Sequence, residues 1–168
     1  MKSLVMSAVV TLFAISLAGN ASAALGTSPN GKEIPIEKAA IKLAADVKSG
    51  GYTLVATDEL KKWIDEGKAV TIISTLPAED DEAMGMIPSA LNSVIPKTEK
   101  ELTPAETAAL LKVAGPDKDK TVVLYCGFVA CRRSHIGAKI LVDNGFRNVF
   151  RYTGGIVGWQ EMGYPLTK

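Results

Sequence analysis

Short apolar runs alternate with stretches of helical spacing along most of this 168-residue chain, and that alternation is what most restricts its fold. Val70-Thr71-Ile72-Ile73 and Thr121-Val122-Val123-Leu124-Tyr125 have no polar partner at every second position, so they read as strands covered on both faces. Tyr52–Ala56, Leu91–Ile95 and Asn148-Val149-Phe150-Arg151-Tyr152 are further strand candidates. Between them lie helical segments with their own stop and start signals. Ile36, Ala39, Ala40, Leu43, Ala44 and Val47 fall on one helical side, and Ser49-Gly50-Gly51 ends that helix. Thr57 before Asp58-Glu59-Leu60 reads as an N-cap with acids in the first turn. Thr103-Pro104-Ala105-Glu106 reads as a capping box with proline in the first helical position. Residues 134–144 form a helix ending at Gly145, and a last short helix carries Trp159. Glu79-Asp80-Asp81-Glu82 is a solvated loop or a helix start. Strands alternating with helices across short connections predict an α/β sandwich with a mostly parallel central sheet.

The first residues read as an export signal. Lys2 gives a short positive region, Leu4–Leu17 is apolar, and Ala21-Ser22-Ala23 is a small-x-small cleavage site with the cut expected after Ala23. The apolar stretch is too short for a confident membrane anchor, and no stable anchor is expected after cleavage. The sequence therefore divides into a signal peptide (1–23), a flexible leader (24–35), an N-terminal helix (36–51) and one domain (52–168), destined for a periplasm or the cell exterior. Removing 1–23 takes away one lysine and no acid, so the mature chain carries equal numbers of basic and acidic side chains. That balance gives no reason to expect nucleic acid or an acidic membrane as a partner.

The chemistry concentrates in Cys126-Gly127-Phe128-Val129-Ala130-Cys131-Arg132-Arg133-Ser134-His135, which holds both cysteines and the single histidine of the chain. One histidine and a C-x4-C pair do not make a metal site, and no cofactor is expected. Cys126 stands where a buried strand turns into a helix, a place where amide N–H groups and a helix N-terminus favour a thiolate and an anion. Gly127 removes Cβ hindrance from that turn, and Arg132 and Arg133 add positive charge beside the sulfur. Phe128, Val129 and Ala130 complete the loop that would contact a substrate, and Ser134 is read as the helix cap. Cys131 is a resolving or disulfide partner: it either bridges permanently to Cys126 or attacks a persulfide there, expelling sulfide. His135, in the first helical turn, reads as a helix residue without a catalytic role.

In this order the motifs resemble the rhodanese-like family over residues 52–165. Gly85-Met86-Ile87-Pro88-Ser89-Ala90-Leu91-Asn92 is similar to the family's Gly-His-Ile-Pro-Gly-Ala-x-Asn turn. Val123-Leu124-Tyr125-Cys126 resembles the strand that delivers its active cysteine, and Gly154-Gly155-Ile156-x-x-Trp159-x-x-x-Gly163-Tyr164-Pro165 resembles its C-terminal signature. The resemblance implies a five-stranded parallel sheet and a sulfurtransferase. Cys126 would take sulfane sulfur from a thiosulfate-like anion, hold it as a persulfide and pass it to a thiol or cyanide, with a periplasmic redox partner as a further contact. The chain departs from the family within that turn, where Met86 and Ser89 replace the usual His and Gly, and in two further places. Ser74-Thr75-Leu76 stand where Asp and Arg are usual, and Arg133-Ser134 follow Cys126 at seven and eight residues instead of five and six. Three alternatives follow: a non-catalytic sulfur- or partner-binding module, a thiol redox enzyme, or a phosphatase-like oxyanion site built on Cys126-x5-Arg132.

Overall fold

The computed structural model describes residues 33–168, so the predicted signal peptide and most of the leader lie outside the described part. Five strands form one sheet in the order β1-β5-β4-β2-β3: β1 Thr53–Val55, β2 Val70–Ser74, β3 Leu91–Asn92, β4 Thr121–Tyr125 and β5 Asn148–Tyr152. Every pairing is parallel, with Ile73 opposite Leu124 and Leu124 opposite Arg151 across the central strands. The helices are α1 Glu33–Gly50, α2 Thr57–Asp65, α3 Ala78–Met84, α4 Pro104–Ala114, α5 Arg133–Asp143 and α6 Gly155–Glu161, with a 3-10 turn at Glu99–Glu101. Among the described residues no helix is long and apolar enough to cross a membrane.

Side-chain alternation divides the core in two. Val122 and Leu124 of β4 face one side with Leu110, Ala114, Ile136 and Leu141 of α4 and α5. Val123 and Tyr125 face the other with Leu60, Trp63, Ile156 and Trp159 of α2 and α6. All four β4 residues are fully buried, as the unbroken apolar run requires of a strand covered on both faces. Each such Val or Leu contributes about 1.5–3 kcal/mol through burial. Both tryptophans belong to the core, and the Trp159 indole donates to the Pro165 carbonyl at 2.8 Å, tying the C-terminal signature to α6.

Several local details differ from the sequence reading. The first helix begins at Glu33, so Glu33, Ile34 and Pro35 of the expected leader are helical, with Pro35 in the first turn where its missing N–H costs nothing. Val47 of this helix packs on the core, which makes α1 part of the same compact unit as the sheet. Thr57 is not the cap of α2. Ala56 holds that position without a side-chain bond, and the Thr57 hydroxyl accepts from the Tyr152 phenol at 3.1 Å. The capping box of α4 forms as read, with Glu106 N donating to Thr103 Oγ1 and Thr103 N donating to the Glu106 carboxylate. The acidic run lies in α3. There Asp81 is buried and accepts from Ser74 Oγ at 2.8 Å and Asn92 Nδ2 at 2.6 Å, so the Asn of the turn motif and the serine that ends β2 share one carboxylate.

Candidate active site

In a parallel sheet the C-terminal strand ends lie on one edge, and substrate clefts open there. The 126–132 loop leaves that edge from β4, the middle strand. Its start is fixed from two sides. Thr75 donates to the Tyr125 carbonyl through both N (2.9 Å) and Oγ1 (2.8 Å). The first turn of α6 donates from Ile156 N to the Cys126 carbonyl at 2.9 Å and from Val157 N to the Gly127 carbonyl at 3.1 Å. Gly155 makes this clamp possible. Its φ is +63°, and a Cβ there would stand 2.5 Å from both of those carbonyl oxygens. Gly127, by contrast, has a φ outside the left-handed region and open space where a Cβ would go. The conformational role expected at Gly127 therefore falls to Gly155.

The two thiols are free and stacked. Cys126 is 1% exposed. Its Sγ lies 3.1 Å from Ser134 Oγ, with the Cys131 carbonyl at 3.5 Å and the Phe128 carbonyl at 4.0 Å. Cys131 is half-buried and lines a cleft of about 850 Å³ together with Leu76, Met84, Lys97, Phe128 and Arg133. The two thiols act on each other's ionisation. Burial pushes the Cys126 thiol well above its ordinary value, and the neighbouring Cys131 pushes it further. The neighbouring Cys126 in turn draws Cys131 down to about 6, outweighing partial burial, with help from the Arg133 and Gly127 backbone and the Arg133 charge. Of the two, Cys131 borders the cleft and Cys126 is enclosed at the end of the strand.

Ser134 is not a helix cap. Arg132 occupies the N-cap of α5 without a side-chain bond, and Ser134, fully buried in the first turn, turns inward to the Cys126 sulfur. The residue that fixes it is one the sequence reading did not select. Arg151 of β5 is fully buried, held by four hydrogen bonds and an ion pair. Nε donates to Ser134 Oγ at 2.9 Å, and Nη2 to the Val129 and Cys131 carbonyls at 3.0 and 2.8 Å. Nη1 reaches Tyr52 Oη at 3.4 Å and Asp46 Oδ2 at 3.5 Å. Because the Ser134 oxygen accepts from Arg151, its own hydrogen is free to point at Cys126 Sγ. A strand arginine among Val149, Phe150 and Tyr152 is the one signal that marked this position, since a charge on a strand buried on both faces demands a partner.

The neighbouring charges serve the scaffold more than the cleft. Arg132 lines the cleft and pairs with Asp46 at 2.9 Å and with Glu99, so two carboxylates balance its charge. Arg133 donates to the Ile95 carbonyl and keeps its place in the cleft wall. His135 is buried, 2.9 Å from the Tyr52 hydroxyl through Nδ1, and burial lowers its pKa. It lies in the first turn of α5, as expected, but is packed inside and not on the surface. Phe128 and Val129 project outward, 54% and 38% exposed, at the loop tip. Ala130 also borders the cleft. Glu79 and Asp80 of α3 form part of its rim.

Comparison with known proteins agrees with this architecture. The sequence profile of the rhodanese-like domain matches residues 56–162, and the chain belongs to that family. Its fold is shared with solved sulfurtransferases. The polysulfide-sulfur transferase homodimer of Wolinella succinogenes superposes with a TM-score of 0.57 at 21% identity, over 83% of this chain and 93% of that one. The thiosulfate sulfurtransferase of Pseudomonas aeruginosa gives a TM-score of 0.57 at 19% identity, over 76% of this chain and 22% of that one. In sequence, 55 residues are 38% identical to the tRNA uridine(34) hydroxylase of Yersinia enterocolitica, covering 30% of this chain and only 15% of the length of that relative.

Proposed function

We propose that the protein is a sulfurtransferase that takes sulfane sulfur from a small anionic donor such as thiosulfate, holds it as a persulfide on the Cys126–Cys131 pair, and gives it to a thiol or cyanide. One observation carries this reading: two free cysteines on one loop at the end of the central strand, Cys126 at its start and Cys131 in the wall of a cleft. A thiolate attacks the outer sulfur of the donor and sulfite leaves; an acceptor then removes the outer sulfur from the persulfide. The Gly127 and Arg133 backbone and the Arg133 charge, which favour an anionic sulfur in this loop, stabilise the negative charge through both displacements. Family membership and the fold shared with two sulfurtransferases support the same chemistry. The lysine, apolar run and small-x-small site of residues 1–23 support export, which would place the donor, the acceptor and a reducing partner outside the cytoplasm.

The test is a thiosulfate:cyanide assay on the wild type and on the Cys126→Ser/Cys131→Ser double variant. Thiocyanate should form with the first and fall to background with the second. A folded double variant that still turns over refutes the thiol mechanism. A wild type inactive with both thiosulfate and inorganic polysulfide, yet able to capture a partner protein, supports the binding-module reading instead.

A further inference from the structure

We infer that Arg151 of β5, and neither arginine of the loop, is the residue that readies Cys126 for sulfur transfer, by holding the Ser134 hydroxyl on the Cys126 sulfur from beneath the loop. The inference rests on the sulfurtransfer reading, with Cys126, the cysteine directly after the central strand, as the sulfur carrier. Arg151 acts through Ser134, so its part is positioning.

The chain of contacts is short. Arg151 Nε donates to Ser134 Oγ at 2.9 Å, and Ser134 Oγ lies 3.1 Å from Cys126 Sγ. A thiolate has no hydrogen to give. Once Cys126 loses its proton, the second contact is therefore a Ser134 O–H donating to an anion, the stronger kind of hydrogen bond. A serine hydroxyl left to itself rotates among acceptors. Here the guanidinium occupies one side of the oxygen and directs the hydrogen to the sulfur. Arg151 Nη2 also holds the Val129 and Cys131 carbonyls, at 3.0 and 2.8 Å. The Cys131 carbonyl is 3.5 Å from the Cys126 sulfur, where its lone pairs oppose a thiolate, and the guanidinium draws on that same oxygen. Both carbonyls lie in the stretch that sets Arg133-Ser134 seven and eight residues after Cys126, so one side chain also anchors the longer loop.

The surrounding charges point to the same residue. Arg132 is taken up by Asp46 and Glu99, and Arg133 by the Ile95 carbonyl. Asp46 of α1 is divided among Lys42, Arg132 and Arg151, so in this cluster three cations face two carboxylates and positive charge is in excess. Of the three cations only Arg151 is fully buried, where its field is least screened. The other ionisable groups turn elsewhere. Tyr52 Oη meets His135 Nδ1 and Arg151 Nη1, and His135 Nε2 faces Glu99. The Tyr125 phenol of β4 accepts from Ile87 N. Glu79 and Asp80 of α3 stand on the cleft rim, and Cys131 shares the loop. From α6 come main-chain N–H groups, spent on the Cys126 and Gly127 carbonyls. Burial and Cys131 act against an anion at Cys126, and the Ser134 hydroxyl and backbone act for one.

Negative charge stands on Cys126 Sγ twice in the cycle. The thiolate attacks the sulfane sulfur of thiosulfate, the donor's sulfur–sulfur bond breaks, and sulfite leaves with the electron pair. An acceptor thiolate then attacks the outer sulfur of the persulfide, the persulfide bond breaks, and Cys126 Sγ leaves with the pair as a thiolate. The Ser134 hydrogen serves both moments, loading and discharge.

The experiment reads Cys126 in two ways on the reduced full chain. One is the sulfite burst from excess thiosulfate between about pH 6 and pH 9. The other, in a Cys131→Ser background, is the rate at which iodoacetamide modifies Cys126 over the same range. Ser134→Ala and Arg151→Met should each displace both profiles upward by about 1–2 pH units, a loss of about 10–100-fold at fixed pH. Ser134→Thr, which keeps the hydroxyl, should regain most of the rate. Arg151→Lys, which keeps the charge without the fork, should fall between Arg151→Met and the wild type. Circular dichroism checks each fold, and if Arg151→Met does not fold, Ser134→Ala and Arg151→Lys decide. A folded Ser134→Ala or Arg151→Met whose profiles overlie the wild type overturns the inference, as does Ser134→Thr no faster than Ser134→Ala. A wild type without a sulfite burst, whose iodoacetamide profiles still shift as stated, refutes sulfurtransfer from thiosulfate and leaves the effect of Arg151 on the sulfur standing.

Discussion

Asp46 of α1 lies outside the matched family segment yet holds two of the arginines around the cysteine loop, and replacing it with asparagine tests whether that charge organises the site. The residue is 5% exposed and touches Lys42 at 2.8 Å, Arg132 at 2.9 Å and Arg151 at 3.5 Å. Lys42 and Arg132 reach solvent, so those pairs contribute at most about 1 kcal/mol each. Arg151 has no access to water, and removing the counter-charge of a buried ion costs about 3–5 kcal/mol. Its four neutral acceptors remain and soften that loss, which gives an expected destabilisation of about 2–3 kcal/mol, or about 5–10 °C in Tm for a chain of this size. The pH dependence separates charge from packing. Burial pushes the Asp46 carboxyl up, but the Lys42 hydrogen bond and the charges of His135, Lys42 and Arg132 outweigh it and hold it below its ordinary 3.8. A depressed folded value means stability that is present above the unfolded pKa and is lost as pH falls through the folded one. Urea titrations should therefore show the full difference between wild type and Asp46→Asn at pH 7 and a much smaller one near pH 3. An equal difference at both pH values would refute the electrostatic account.

Three further outcomes follow from the same geometry. Alkylation of Cys131 by iodoacetamide, followed by peptide mapping, should rise with a midpoint near pH 6, and Cys126→Ala should move that midpoint upward by removing the neighbour that contributes most to the shift; an unmoved midpoint contradicts the influence of Cys126 on Cys131. Gly155→Ala should cost about 2–4 kcal/mol, because its Cβ meets two carbonyl oxygens, while Gly145→Ala, also at positive φ but facing open space, should cost about 1 kcal/mol; similar urea midpoints for the two would dismiss the clamp. Ser134→Ala should cost about 1–3 kcal/mol by leaving Arg151 Nε without an acceptor, and a variant as stable as wild type would show that Ser134 does not anchor that guanidinium.

The sheet was legible because its signal is local. Val70–Ile73 and Thr121–Tyr125 are apolar at consecutive positions, and only a covered parallel strand tolerates that. Cys126 was legible for the same reason, since a cysteine following such a strand falls at the C-terminal edge of the sheet. What failed to show was set by contacts distant in sequence. Ser134 looked like a cap because serine before an apolar helix usually is one, and only Arg151, 17 residues later, draws it inward. Arg132 borders the cleft as the loop spacing suggested, but its partner Asp46, 86 residues earlier, could not be read from that spacing. The ranking of the two thiols depended on burial, which the spacing of a loop does not encode. Gly127 and Gly155 show the same limit from the backbone side: both are glycines near the sulfur, and only the packing of α6 against the loop tells which one the fold requires.

The contribution of α1 bears on how this protein is trimmed for experiments. A shortened version spanning only residues 56–162, where the family profile matches, would discard Asp46 and Tyr52 and leave the Arg151 guanidinium without its counter-ion or its phenol partner. Such a fragment would keep both sulfurs and every recognisable signature, yet it would report on a loop stripped of its foundations. Inactivity measured on it would describe the scissors, not the enzyme.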